Sequence, residues 1–114
     1  MLLITGALLV GCGELTVEDP RGTVAAKSGQ EFVLDFPTNP SVGYDWRLDS
    51  QLGPGGPVGY LSYGTEPEDP GTTGGGARKN FRFEGRRPGE NVLRFTRLFR
   101  GKPDRRRVVR VVVR

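Results

Sequence analysis

The sequence predicts an all-β protein, folded as an antiparallel β-sandwich of about six to eight short strands. Three observations carry this prediction. Apolar and polar residues alternate with a period of two in several segments, as in a strand with one buried face. The 18 glycines and 9 prolines cluster between these segments, where turns are expected. Apolar residues do not recur with helical spacing over about eleven residues without an interrupting glycine or proline.

The predicted strands follow from the alternation. At the segment 32–36, Phe32, Leu34 and Phe36 share one face, which we expect to be buried. At the segment 44–48, Trp46 lies between charged residues, so we expect Trp46 in the core rather than in an interface. The segments with this pattern are 32–36, 44–48, 81–84, 93–96 and 107–113.

The segments between the predicted strands contain residues that favour turns. The segment 27–30 is predicted to form a hairpin turn, and the segment 87–90 places Pro88 and Gly89 where a type II turn favours them. The segments 53–57 and 66–76 are longer loops. A chain of 114 residues is enough for one domain, and the sequence contains no repeat.

The first twelve residues have the pattern of an export signal. Residues 2–10 are apolar, too few to span a bilayer but enough for a signal-peptide core. They end at Gly11-Cys12, which resembles a bacterial lipobox, so we expect a lipoprotein signal peptide over 1–12 and a lipid on Cys12. Residues 13–22 are then a short linker, and the protein is held on the outer side of a membrane in the bacterial envelope. The alternative is a buried N-terminal strand with a structural cysteine.

The composition argues against several classes of function. The chain has no histidine and one cysteine, which removes the commonest general base and metal ligand and leaves no internal disulfide. We therefore expect no enzyme, no cofactor and no metal site. Residues 76–114 carry fourteen basic and three acidic residues, against three basic and ten acidic in residues 1–75. We assign this basic excess to the solvent faces of strands rather than to nucleic-acid binding.

Three segments could carry a binding function. The first loop, residues 39–44, begins with Asn-Pro and contains Gly43, a combination typical of a tight turn. The glycine loop, residues 70–78, exposes bare main chain at three consecutive glycines. The third segment, residues 97–103, combines Phe99 with cationic residues. The plain structural alternatives are a strand connection, a flexible linker and a hairpin with Phe99 in the core.

Taken in this order, the three segments resemble the chagasin family of protease inhibitors. That family carries Asn-Pro-Thr-Thr-Gly-Tyr/Phe-x-Trp, then a glycine-rich loop before an aromatic strand, then Arg-Pro-Trp/Phe before the last strand. The resemblance covers roughly residues 20–114. It has two departures from the family pattern: Ser41-Val42 replaces Thr-Thr, and Arg97-Leu98-Phe99 occupies the place of Arg-Pro-Trp. The corresponding first motif is Asn39-Pro40-Ser41-Val42-Gly43-Tyr44-Asp45-Trp46.

The resemblance implies an immunoglobulin-like sandwich over residues 23–114. It also implies a reversible, monomeric inhibitor of papain-like cysteine proteases, whose three loops enter the active-site cleft as a wedge. In this role the Ser41 hydroxyl would bond to the protease, the glycine loop would pair with its main chain, and Phe99 would be an anchor. The implied protease-binding residues are Asn39, Pro40, Ser41, Val42, Gly43, Tyr44, Gly74, Gly75, Gly76, Arg97, Leu98 and Phe99.

Two other functions remain open from the residues alone. The first is a non-inhibitory, envelope-anchored adaptor that uses the same sandwich to bind another protein. The second is an anionic-polymer binder that uses the basic run at 105–107, which would bind with a steep salt dependence.

Overall fold

The computed structural model describes residues 14–69 and 76–114, so the predicted signal peptide at 1–12 lies outside the described residues. The described residues contain only strands and connections, and no helix long and apolar enough to cross a membrane. The strands are β1 (Leu15–Glu18), β2 (Gly22–Ala26), β3 (Glu31–Thr38), β4 (Tyr44–Leu48), β5 (Val58–Pro67), β6 (Ala77–Gly85), β7 (Gly89–Phe99) and β8 (Lys102–Val113).

The strands form two sheets packed face to face. The orders are β1-β3-β6-β5 in the first sheet and β2-β8-β7-β4 in the second. The predicted all-β sandwich is thus confirmed, with one refinement. Each sheet is mixed rather than purely antiparallel, because β1 runs parallel to β3 and β2 runs parallel to β8. Leu15–Glu18, predicted as part of a linker, is the edge strand β1.

Two of the predicted turns connect the two sheets, although one of them was predicted to close a hairpin. The segment 27–30 does form a turn, with the Gln30 amide donating to the Lys27 carbonyl at 3.0 Å. The hairpin prediction is nevertheless wrong, since β2 and β3 lie in different sheets. The segment 87–90 likewise carries the chain from β6 in the first sheet to β7 in the second. Turn-forming residues predict that the chain reverses direction, but they do not predict which sheet the next strand joins.

Aromatic side chains from both sheets meet in the core. The Phe36 ring lies 4.6 Å from the Trp46 ring and 4.7 Å from the Phe95 ring, centroid to centroid. Trp46 is 2% exposed, which confirms its predicted place in the core. Its indole N–H donates to the Pro37 carbonyl at 2.9 Å, so its one polar atom is satisfied.

Arg107 departs from the pattern of outward-facing charges. Its guanidinium carbon lies 5.9 Å from the Phe36 centroid and 5.5 Å from the Trp46 centroid, so it covers one edge of the core. It donates to the Asp19 carboxylate at 2.8 Å and to the Pro20 carbonyl at 3.0 Å. This hydrogen bond lowers the pKa of Asp19 and joins the β1–β2 connection to β8.

Candidate functional site

Strand register brings the three candidate segments to one end of the sandwich. Thr38, the last residue of β3, pairs with Ala77, the first residue of β6, and Ala77 also pairs with Pro67 at the end of β5. In the other sheet, Tyr44 at the start of β4 pairs with Phe99 at the end of β7. The first loop, the base of the glycine loop and the β7–β8 turn therefore adjoin. We call this region the loop end.

The first loop is closed by its own main chain. The Asn39 carbonyl accepts hydrogen bonds from the amides of Val42, Gly43 and Tyr44 at 3.1, 3.2 and 3.1 Å. The Ser41 hydroxyl donates to the Asn39 side-chain oxygen at 2.6 Å. The Ser41 proton is thus used within the loop, and the hydroxyl oxygen keeps its capacity to accept a hydrogen bond from a partner.

The ends of the first loop are fixed to both sheets. The Thr38 hydroxyl donates to the Tyr44 carbonyl at 2.9 Å and so ties the end of β3 to the start of β4. Gly43 has a φ of 109°, a value that L side chains rarely adopt. Val42 is 44% exposed at the outside of the loop. The result is a short, preorganised projection with an apolar side chain at its tip.

The glycine loop is described only at its base. The Glu68 amide donates to the Gly76 carbonyl at 2.9 Å and closes the loop where it leaves the sheet. A Cβ placed on Gly76 would lie 3.8 Å from the Thr38 carbonyl oxygen, so the base of this loop lies beside the first loop. Gly74 and Gly75 lie outside the described residues.

The third segment is a strand end rather than a loop. Arg97, Leu98 and Phe99 are the last residues of β7, and the turn itself consists of Arg100 and Gly101. Leu98 pairs with Asp45 of β4 and with Pro103 of β8, so it lies inside the sheet. The β7–β8 register shifts between Arg97 and Leu98, so the ladder is irregular at the position where the family carries proline.

The side chains of the third segment brace the first loop. Phe99 is half-buried, and its ring lies 4.7 Å from the Tyr44 ring. The Arg97 guanidinium lies 4.8 Å from the Tyr44 centroid and is held by Asp104 at 2.8 Å. Phe99 is therefore neither a fully exposed anchor nor a core residue, but part of a small aromatic cluster under the loop end.

Thr38 is a component of the loop end that the sequence analysis did not include, and Arg100 was included only as one of the cationic residues of the third segment. Thr38 lies two residues beyond the predicted strand 32–36, where no alternation marks its side chain, and it is the last residue of the observed β3. Gly101 was the available signal for a two-residue hairpin turn at this point, but arginine is not a residue that such a turn favours at its first position.

The basic run at 105–107 is divided between the two faces of β8. Arg107 turns inward, whereas Arg105 and Arg106 are exposed, so the three arginines do not form one continuous basic strip. No group of three or more metal-ligating side chains converges within residues 14–69 and 76–114.

Three solved structures share this fold. The cysteine protease inhibitor EhICP2 from Entamoeba histolytica is 17% identical, with a TM-score of 0.69 over 90% of this chain and 96% of that chain. Amebosin is 19% identical, with a TM-score of 0.66 over 89% and 98%. PbICP-C, solved in complex with falcipain-2, is 16% identical, with a TM-score of 0.58 over 90% and 99%.

Sequence comparison agrees with the fold. The comparison with curated protein sequences gives no match. Residues 25–113, which include the first loop and the whole of β3 to β8, match the family model described as chagasin family peptidase inhibitor I42. This chain therefore belongs to the chagasin family of peptidase inhibitors.

Proposed function

We propose that this chain is a reversible inhibitor of papain-like cysteine proteases and that it occludes the active-site cleft with its loop end. Membership of an inhibitor family supports this function and agrees with the prediction that the chain is not an enzyme. Two proteins of the same fold point to the same protease class, since one is named a cysteine protease inhibitor and the other was solved with falcipain-2. The observation that carries the proposal is the convergence of the three segments at one end.

The first loop is suited to fill a cleft without being cut. Three amides bond to the Asn39 carbonyl, so the loop is curled rather than extended, whereas a protease cleaves an extended main chain. Because the loop is already ordered, little conformational entropy is lost when it binds. The exposed side chain of Val42 and the acceptor oxygen of Ser41 are the groups that this loop offers to a protease.

The neighbouring segments would widen the contact. The three consecutive glycines of the glycine loop have no side chains, which would suit main-chain pairing with the edge of the protease cleft. On the other side, the Tyr44–Phe99 pair gives a rigid aromatic support, and aromatic residues contribute strongly at interfaces. We propose that the protein acts as a monomer, with one loop end blocking one protease.

Titration of papain and of a cathepsin L-like protease with residues 14–114 tests the function. We expect inhibition that reverses on dilution, with the inhibitor intact by mass spectrometry. Val42→Lys should weaken inhibition strongly, because it puts a long charged side chain at the tip of the first loop. Val108→Lys is the matched control, since Val108 is 48% exposed against 44% for Val42 but lies on β8 away from the loop end.

Two outcomes would contradict the proposal. Absence of inhibition at high micromolar concentration would favour the adaptor function instead. Equal effects of the two lysine substitutions, with circular dichroism showing both proteins folded, would place the binding surface outside the loop end.

We propose in addition that Cys12 is lipidated and anchors the protein to the envelope membrane. Leu15 pairs with Phe32 near the start of β3, so β1 begins at the end of the sandwich opposite the loop end. An anchor at Cys12 would thus leave the loop end facing away from the membrane, free to meet a protease. Palmitate labelling of cells that express the wild type and Cys12→Ala tests this, and equal labelling of both proteins would refute it.

A further inference from the structure

The β7–β8 turn has an unusual residue at its first position. Arg100 has a φ of 52° and Gly101 a φ of 83°, so both central residues are in the left-handed region that a type I′ turn requires. Asparagine or glycine adopts this conformation at the first position more easily than arginine does. A side chain kept at such a position against its backbone preference suggests a role for that side chain.

Arg100 contacts the first loop through its main chain and its side chain. Its amide donates to the Gly43 carbonyl at 2.8 Å. Its Cγ lies 2.8 Å from the point where a Cβ on Gly43 would stand, so the stem of the side chain occupies the space above Gly43. Its guanidinium carbon lies 5.1 Å from the centroid of Phe99, which in turn packs on Tyr44. The side chain therefore bridges Gly43 and the aromatic pair.

We infer that Arg100 is a positioning residue, whose side chain holds the first loop in the conformation that binds the protease. The loop is closed on itself by bonds to the Asn39 carbonyl, but those bonds do not fix the loop against the neighbouring hairpin. The Arg100 amide gives one such connection, and the stem over Gly43 gives a second. This inference deepens the proposed function and rests on it for its effect on inhibition, but the ordering of the loop can be measured without any protease.

The test is Arg100→Gly, which removes the whole side chain but suits the turn. Gly-Gly is a favoured pair for a type I′ turn, so we expect the hairpin and the melting temperature to be retained. The Cγ over Gly43 and the guanidinium are lost. We expect faster amide hydrogen exchange at Val42, Gly43 and Tyr44 in the free protein, and inhibition weaker by roughly threefold to tenfold, because a mobile loop must be ordered on binding.

Two control variants separate positioning from a direct charge effect. Arg100→Gln keeps a stem of similar reach without the charge, and we expect its loop exchange to remain near that of the wild type. Lys27→Gln removes one positive charge from an exposed residue at the opposite end of the sandwich, and we expect neither exchange nor inhibition to change.

The outcomes decide the inference independently of the inhibitory function. Unchanged loop exchange in Arg100→Gly would overturn it, whatever happens to inhibition. If Arg100→Gln lost inhibition as Arg100→Gly did while loop exchange stayed unchanged in both, Arg100 would act by contacting the protease directly. If the wild type did not inhibit but Arg100→Gly freed the loop, the proposed function would fail and the positioning role would stand.

Discussion

The core and the loop end of this sandwich are held together by different kinds of interaction. In the core, large apolar side chains such as Phe36, Trp46 and Phe95 are at most 2% exposed and pack ring against ring. At the loop end, main-chain hydrogen bonds to the Asn39 carbonyl fix the shape, and few side chains are fully buried. Substitutions should therefore affect stability in the first region and inhibition in the second.

The largest expected effect lies in the core. Trp46→Ala removes a buried ring that contacts Phe36 and leaves the Pro37 carbonyl without its indole donor. We expect a loss of about 3–5 kcal/mol in the free energy of unfolding, measured by urea denaturation. Tyr63→Ala is the control, because Tyr63 is 66% exposed and should cost far less. An unchanged urea midpoint for Trp46→Ala would contradict the assignment of Trp46 to the core.

The next largest effect is expected on inhibition, at Gly43 in the first loop. Gly43→Ala puts a Cβ at a φ of 109° and against the Arg100 stem, so the first loop must distort. A positive φ costs a non-glycine residue roughly 1–2 kcal/mol, and we expect inhibition to weaken by about tenfold or more.

Gly53→Ala is the matched control for this glycine. Gly53 has no neighbouring atom within 4 Å of the added Cβ and lies in the loop before β5, away from the loop end. We expect its inhibition constant to equal that of the wild type. Equal weakening by both alanines would show that the loop end has no special role.

A smaller, pH-dependent effect on stability is expected at the hydrogen bond between Arg107 and Asp19. The hydrogen bond from Arg107 lowers the pKa of Asp19, so the ionised carboxylate stabilises the folded state at neutral pH. Asp19→Asn should lower the melting temperature at pH 7, and this difference should shrink as the pH falls below about 4, where the wild-type carboxyl also protonates. Thermal unfolding at neutral and acidic pH measures it. A difference that does not change with pH would show that the charge of Asp19 is unimportant.

The smallest effect is expected on the outer face of the second sheet. Arg106→Ala removes an exposed side chain that bonds only weakly to Thr96, at 3.4 Å. We expect less than about a twofold change in inhibition and little change in stability, as for most surface substitutions. If Arg106→Ala weakened inhibition as much as Gly43→Ala, the binding surface would extend down the sheet and the comparison would fail.

Much of the candidate site could be predicted from the sequence because its signals are local. Asn39-Pro40 and Gly43 determine a tight turn through their own backbone preferences, and the structure finds the first loop closed at those residues. The third segment was harder to place. Whether Phe99 ends a strand or begins a loop depends on its pairing with Tyr44, more than fifty residues away in the chain. The residues near Phe99 contain no pattern that predicts this pairing.

The sequence by itself determined that the chain is all-β, where most strands lie and that Trp46 is buried. These features could be predicted because alternation with a period of two and turn-forming residues depend only on the conformation of each segment. Only the tertiary structure decided which sheet each strand joins, that β1 and β2 pair in parallel, and that Arg107 turns inward to cover the core. It also decided that Asp35, on the outer face of β3, is buried, with its pKa raised by burial. The physical reason is that sheet pairing and burial depend on contacts between residues far apart in the chain, which alternation within one segment does not encode.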